Sequence, residues 1–183
     1  MNRECGTCTA CCTTMIVPEL NKAAHCDCPF ANNGCTMYEE RPPTCADWNC
    51  LWLLGHFRDR DRPDKTGYVS WVMPAPQVRS WGHPVVAMRE IKEGSTVIPA
   101  GQRAIKKLTK AKVSVIVIKK DTGRTIYAAS GFQKTMRESF NGQGIDFSER
   151  SGSFHISRED CERMWPIDYA QGDSLRKLMQ IEK

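Results

Sequence analysis

The chain has 183 residues, 40% hydrophobic and 26% charged, with a formal net charge of +5. That length suits one domain or two small ones, and the composition excludes a disordered chain. The most apolar stretch, Val113 to Ile118, falls far short of the roughly 20 apolar residues of a membrane-spanning helix. The polar opening Met1-Asn2-Arg3-Glu4-Cys5 has no apolar signal core, which predicts a cytoplasmic, non-secreted protein with no membrane association.

Nine of the ten cysteines fall in the first 50 residues, and only Cys161 lies outside. Residues 1–65 carry seven basic and nine acidic side chains, whereas 66–183 carry 19 and 12. The sequence therefore predicts an acidic, cysteine-rich head (1–57), a charged linker (58–65, RDRDRPDK) and a basic module (66–183). A disulfide framework would need an oxidising compartment and an even thiol count, and the head offers neither. Inert buried thiols suit a lone Cys161 but do not explain Cys5-x2-Cys8-x2-Cys11-Cys12. Thiolate metal binding does. A C-x2-C step lets two sulfurs reach one ion from a tight turn, and the small spacers Gly6, Thr7, Thr9 and Ala10 let the backbone wrap around it. Thiolates select zinc, cuprous copper or iron–sulfur clusters. Cys11 and Cys12, being adjacent, project differently and are expected to serve different metals, or one of them a redox or supporting role. Zinc and iron–sulfur both remain open: each takes four cysteines, and the Cys5–Cys8–Cys11 triplet with the later Cys28-Pro29 is similar to ferredoxin-type runs, at a longer spacing.

The run Cys5-x2-Cys8-x2-Cys11-Cys12, then Cys28-Pro29-Phe30, Asn33-Gly34-Cys35, Tyr38-Glu39-Glu40-Arg41-Pro42-Pro43-Thr44-Cys45 and Cys50 resembles the YkgJ-type cysteine-cluster family. Its members carry a CxxCxxCC pattern and a zinc- or iron-chelating domain. The match covers about residues 4–55. The resemblance implies eight metal-ligating cysteines, Cys5, Cys8, Cys11, Cys12, Cys28, Cys35, Cys45 and Cys50, with Cys26 as an extra, and a bacterial cytoplasmic protein. Flagellin lysine N-methylases carry a related cluster and use S-adenosylmethionine. Only the cluster matches here, so methyl transfer is not implied.

Asn33-Gly34 is a turn dipeptide that would deliver Cys35 from a tight loop. Pro42-Pro43 is expected to bar helix before Thr44 and bring Cys45 in on an extended segment. Arg41 either offsets thiolate charge or pairs with Glu39 or Glu40. His25 and His56 could ligate zinc but are not needed. Trp48 to Gly55 is expected to form a short helix covering the metal site, with an aromatic contact to a partner or nucleobase as the alternative.

In the basic module, Gly67–Met73 reads as a strand stopped by Pro74, and Val85–Met88 as a second strand before a Glu93-Gly94-Ser95 turn. Ala104, Ile105, Leu108 and Ala111 recur at helical spacing within 100–111. Lys112–Ile118 and Thr125–Ala129 read as strands joined by a turn over 119–124. Ser157 reads as a helix N-cap, Pro166 as the end of that segment, and Ser174–Ile181 as a terminal helix. The fold class is α+β: an irregular cysteine-rich metal-binding head with short helices, followed by a small mixed α+β module. No P-loop, dinucleotide fingerprint, nucleophile elbow or zinc-protease helix is present, so no catalytic residue is assigned. His83 and His155 read as isolated structural histidines. Lys106, Lys107, Lys110 and Lys112, with Lys119, Lys120 and Arg124, could form one positive face over 100–124 for a protein or nucleic-acid partner, or simply a solvated helix face.

Function follows as an expectation: a cytoplasmic protein holding zinc or an iron–sulfur cluster through thiolates, with a basic accessory module. The alternatives are an iron–sulfur redox protein or an enzyme related to cluster-containing methylases, and a structural or interaction subunit in which the metal is a folding staple.

Overall fold

The structure is a computed structural model that describes residues 3–73, 81–119 and 123–164. It is mixed α+β, with a six-stranded sheet and six short helices among the described residues. The first part of the chain carries α1 (Ala10–Thr14), a 3-10 turn at Pro18–Leu20, α2 (Pro43–Asp47), a second 3-10 turn at Asp59–Asp61 and α3 (Pro63–Thr66). Then follow β1 (Tyr68–Val72), β2 (Val85–Glu90), α4 (Pro99–Lys110), β3 (Ser114–Ile118) and β4 (Arg124–Tyr127). α5 (Gln133–Gly142), β5 (Phe147–Arg150), β6 (Ser153–Ile156) and α6 (Arg158–Met164) complete the order.

The strands lie in the order β1-β2-β3-β4-β6-β5. β2 and β3 pair in parallel, Ala87 opposite Ile116, and every other neighbouring pair is antiparallel. The parallel pair needs a crossover, and α4 supplies it. Its Gly101, Ala104 and Ile105 face inward while Arg103, Lys106, Lys107 and Lys110 are exposed, as the helical spacing predicts.

The sheet is covered on both faces, which is why β3 is apolar from Val115 to Ile118. On one face, Ala87, Ile116, Ile118, Ile126, Phe154 and Ile156 pack with Met136 and Phe140 of α5 and with Cys161. On the other, Val69, Val86, Met88, Val115 and Val117 pack with Ala104 and Ile105 of α4 and with Cys50, Leu51, Trp52 and Phe57. The end of the cysteine-rich segment thus forms part of the sheet's own core. Polar ties reinforce it: Leu51 N–H donates to Ser70 O at 2.8 Å, Arg89 donates to Thr14 O at 2.7 Å, and Arg3 donates to the carbonyls of Trp52 and Phe57.

Several expectations hold and others shift. The charged run 58–65 is folded: α3 ends at Gly67, whose φ of +79° and N–H to Pro63 O form a left-handed stop. The 93–95 turn forms around the Glu90 carboxylate, which accepts from Gly94 N–H and Thr96 N–H. Ser157 caps α6, its Oγ accepting from Asp160 N–H at 3.0 Å. The expected strand 112–118 begins at Ser114, because Lys112 sits at φ +63°. Its partner ends at Tyr127, because Ala129 N–H leaves the ladder for Ser114 Oγ. The segment 48–55 is a correction: it is a pair of tight turns, not a helix. Leu51 N–H is committed to β1, and His56 N–H closes back on Leu51 O around Gly55 at φ +83°. α5 and the β5–β6 hairpin were not anticipated. Pro74, Lys120, Pro166 and Ser174–Ile181 lie outside the described residues.

Candidate metal centre

Each cysteine of the head is delivered by a local device. Cys8 N–H closes a turn onto Cys5 O at 3.0 Å, and Gly6 makes that turn possible at φ +53°. Cys11 and Cys12 lie in α1. Cys28 opens a loop in which Ala31 N–H returns to Cys28 O and Ala31 bridges to Cys35. At its tip, Asn33 and Gly34 take φ +49° and +127°, as a turn dipeptide should. A side chain at Gly34 would place its Cβ 2.8 Å from Gly6 O, so glycine is what lets the Cys35 loop rest on the Cys5–Cys8 turn.

Cys45 arrives differently from the expectation. Pro43 is the first residue of α2, a position proline tolerates because the missing N–H has no partner there anyway, and Cys45 therefore sits on a helix. Glu19 fixes that helix end, its carboxylate accepting from Thr44 N–H at 3.0 Å and from Thr44 Oγ1 at 2.8 Å. Its own backbone N–H, and then those Thr44 bonds, hold the Glu19 carboxyl below its ordinary range.

The eight cysteines singled out in the sequence line one cavity of about 60 Å³. Trp48, Trp52, Leu53 and Val69 also line it, so the 48–55 turns cover the thiols although they are not helical. Cys26 is exposed and does not line the cavity. Cys161, fully buried, belongs to the opposite face of the sheet. All ten cysteines are free thiols.

Burial pushes the thiols of Cys5, Cys8, Cys45 and Cys50 up, and neighbouring sulfur charges push Cys5 and Cys45 further. Cys11 and Cys12 share a hydrogen bond that raises Cys11 and lowers Cys12, which favours a thiolate at Cys12 over one at Cys11. Lys22, also in the cavity lining, favours that thiolate. It is only 4% exposed, and its Nζ donates to Met15 O at 2.6 Å and to Ala23 O at 3.2 Å. Arg41 is the second cation in the lining. It stacks on Tyr38 at 3.9 Å, its buried Nε has no hydrogen-bond partner, and it lowers Cys5. Arg41 was singled out in the sequence, while Lys22 was not. Nothing in its local sequence separates it from a surface lysine; only its placement under α1 does.

The donor set fits a thiophilic metal in kind and in number: eight thiols on one cavity, with two cations to balance thiolate charge. Among the described residues, no three Cys, His, Asp or Glu side chains converge closely enough to enclose one ion. The eight sulfurs are thus gathered but not closed into a finished coordination shell.

Other sequence candidates fall elsewhere. His83 engages Trp81 O and Ser114 Oγ, both at 2.6 Å, and His155 engages Thr125 and Ser153, so both imidazoles serve the fold. Of the basic residues over 100–124, Lys106, Lys107 and Lys110 are exposed, whereas Arg124 is 2% exposed and contributes little to a surface. No helix among the described residues is long and apolar enough to cross a membrane. No family model, no curated protein and no solved structure matches the chain.

Proposed function

We propose that this protein binds a thiophilic metal, zinc or an iron–sulfur cluster, through the eight cysteines of the cavity, as two four-thiolate centres. One centre would draw on Cys5, Cys8, Cys11 and Cys50, the other on Cys12, Cys28, Cys35 and Cys45. The observation that carries the reading is that one cavity gathers the eight cysteines of the YkgJ-type resemblance and leaves out Cys26 and Cys161.

The division follows electrostatic neighbourhood. Cys5 lies within reach of Cys50 and Cys8, and Cys11 of Cys5 and Cys8. Cys45 lies within reach of Cys12, Cys28 and Cys35. Cys12 sits at the boundary, since it hydrogen-bonds Cys11 and also reaches Cys5. Such a metal supplies cross-links between turns that have little apolar packing of their own, and iron–sulfur centres would add one-electron chemistry. The chain's residues do the rest: Lys22 and Arg41 offset charge, and Trp48, Trp52 and Leu53 keep water from the sulfurs.

Anaerobic purification followed by metal and acid-labile sulfide analysis tests this. Two zinc ions per chain, or iron with matching sulfide, is the expected result. Absence of zinc, iron and sulfide in near-stoichiometric amount would end the proposal.

A further inference from the structure

The two cations of the thiol cavity are engaged differently. Lys22 Nζ already donates to Met15 O at 2.6 Å and to Ala23 O at 3.2 Å. Arg41 has no such bonds. Its guanidinium lies over the Tyr38 ring at 3.9 Å, and both residues line the cavity. The Nε is shut in, whereas the two terminal nitrogens stay open, and none of the three bonds a described residue. The ion pair with Glu39 or Glu40 that the sequence allows is not formed, and both of those side chains are exposed.

A guanidinium carries its N–H donors in a fixed fork and stacks on aromatic faces, so a ring can pin it while its terminal donors stay free. Tyr38 does the pinning here. The acceptors in the same lining are sulfurs, and a metal-bound thiolate, being charged, accepts a charge-assisted hydrogen bond. Cys5 feels the cation: Arg41 opposes the burial that raises its thiol. Arg41 itself stands on the segment that leads to Cys45, so it reaches from the chain of one set of cysteines toward the other.

We propose that the two metal centres are unequal and that Arg41 makes them so: its terminal N–H groups donate to the thiolates of the Cys5, Cys8, Cys11 and Cys50 centre, which binds its metal more tightly and loads first. The inference rests on the metal reading and on its division into two centres. Arg41 is a positioning residue here and not a ligand. Its hydrogen bonds disperse thiolate charge and hold the sulfurs in their metal-bound arrangement, beyond what a bare positive charge would do. Lys22 has spent two of its three donors on carbonyls and has one left to direct at the other centre.

Titration of the metal-stripped full chain tests it, with zinc against a chromophoric chelator and with cadmium followed by cadmium NMR. Two binding steps of different affinity and two cadmium resonances are expected. Arg41→Met should weaken the tighter step roughly ten- to hundredfold and shift one resonance while the other stays. Arg41→Lys keeps the charge and loses the fork, so it should recover only part of that affinity; it also carries the test if Arg41→Met does not fold. Lys110→Met, which removes an exposed cation outside the cavity lining, should bind as the parent does. Two equal steps in the parent, parent-like affinity in Arg41→Met, full recovery in Arg41→Lys, movement of both resonances, or an equal loss in Lys110→Met would each overturn this inference and leave the metal reading standing. Failure of the chain to take up either ion would overturn it as well, and the metal and sulfide content of the purified protein then decides whether the metal reading falls with it.

Discussion

The two halves of the molecule are ordered by different means. In the sheet, Met88, Val115, Ile116, Ile126 and Phe154 are at most 1% exposed, and the backbone is held by long ladders. In residues 3–50, the buried apolar side chains are Cys8, Ala10, Val17, Ala23 and Cys50, all small or medium-sized. There the backbone is held by single turns such as Cys8 N–H to Cys5 O and Thr36 N–H to Phe30 O. A segment with so little apolar burial gains little from the hydrophobic effect, while its turns aim eight thiols at one cavity. The comparison teaches that the sheet is stabilised by what it buries and the head, on the proposed reading, by the metal its cysteines would hold.

The sharpest way to break that contrast is a ligand substitution. Cys8→Ser should unfold the head, at a cost of several kcal/mol out of the roughly 10–16 kcal/mol that structural zinc supplies in small metal-folded domains. Hydrogen exchange reads it: amides of 5–45 should lose protection while those of β2 and β3 keep theirs. A head as protected as in the parent would show that the cysteines are packing residues only. The converse substitution is Phe140→Ala, at a side chain with no exposure. It should cost about 3–5 kcal/mol in the sheet core and leave the metal content of the folded fraction unchanged. Equal loss of metal would mean that the halves do not differ in the way argued.

pH separates the same two contributions. The thiols of Cys5, Cys8, Cys45 and Cys50 have pKa values raised by burial above the ordinary 9.0. A raised pKa contributes stability that is present below the unfolded value and is lost as pH rises through the folded one. Metal-free protein should therefore melt at lower temperature as pH climbs past about 9, whereas metal affinity rises with pH because binding displaces thiol protons. Thermal melts from pH 7 to 10, with and without metal, should diverge. Parallel curves would contradict the assignment of these thiols as ligands. The smallest effect is expected from Lys22→Met, which removes the buried ammonium near Cys12 and Cys28. Outer partners of metal ligands typically contribute 10–100-fold to affinity, and a loss of about tenfold is expected in a chelator competition. Unchanged affinity would leave Lys22 as a strut between Met15 O and Ala23 O.

The sheet was legible where pattern and burial agree. β3 is apolar from Val115 to Ile118 because both faces are covered, and α4 shows its inward stripe at helical spacing. The β5–β6 hairpin was not legible because β5 is mostly exposed: Phe-Ser-Glu-Arg carries one apolar side chain and reads as a loop. α5 was missed because its contribution to the core rests on just Met136 and Phe140. In the head, the Asn33-Gly34 turn could be read from its chemistry, and the set of eight cysteines that lines the cavity was implied by the family resemblance. Two details escaped. Pro43 could open a helix as well as forbid one, and the Glu19 carboxylate that decides between these lies 25 residues away. The 48–55 segment has helical composition, but Leu51 is captured by β1, a long-range bond that no local pattern announces.

The most direct test of the central claim is X-ray absorption at the metal edge of anaerobically purified protein. Four sulfur neighbours per zinc at about 2.3 Å is the predicted shell, or an iron–sulfur signature with sulfur-only ligation if the metal is iron. A shell dominated by nitrogen or oxygen would contradict it, because the cavity offers eight thiols and no imidazole or carboxylate in its lining.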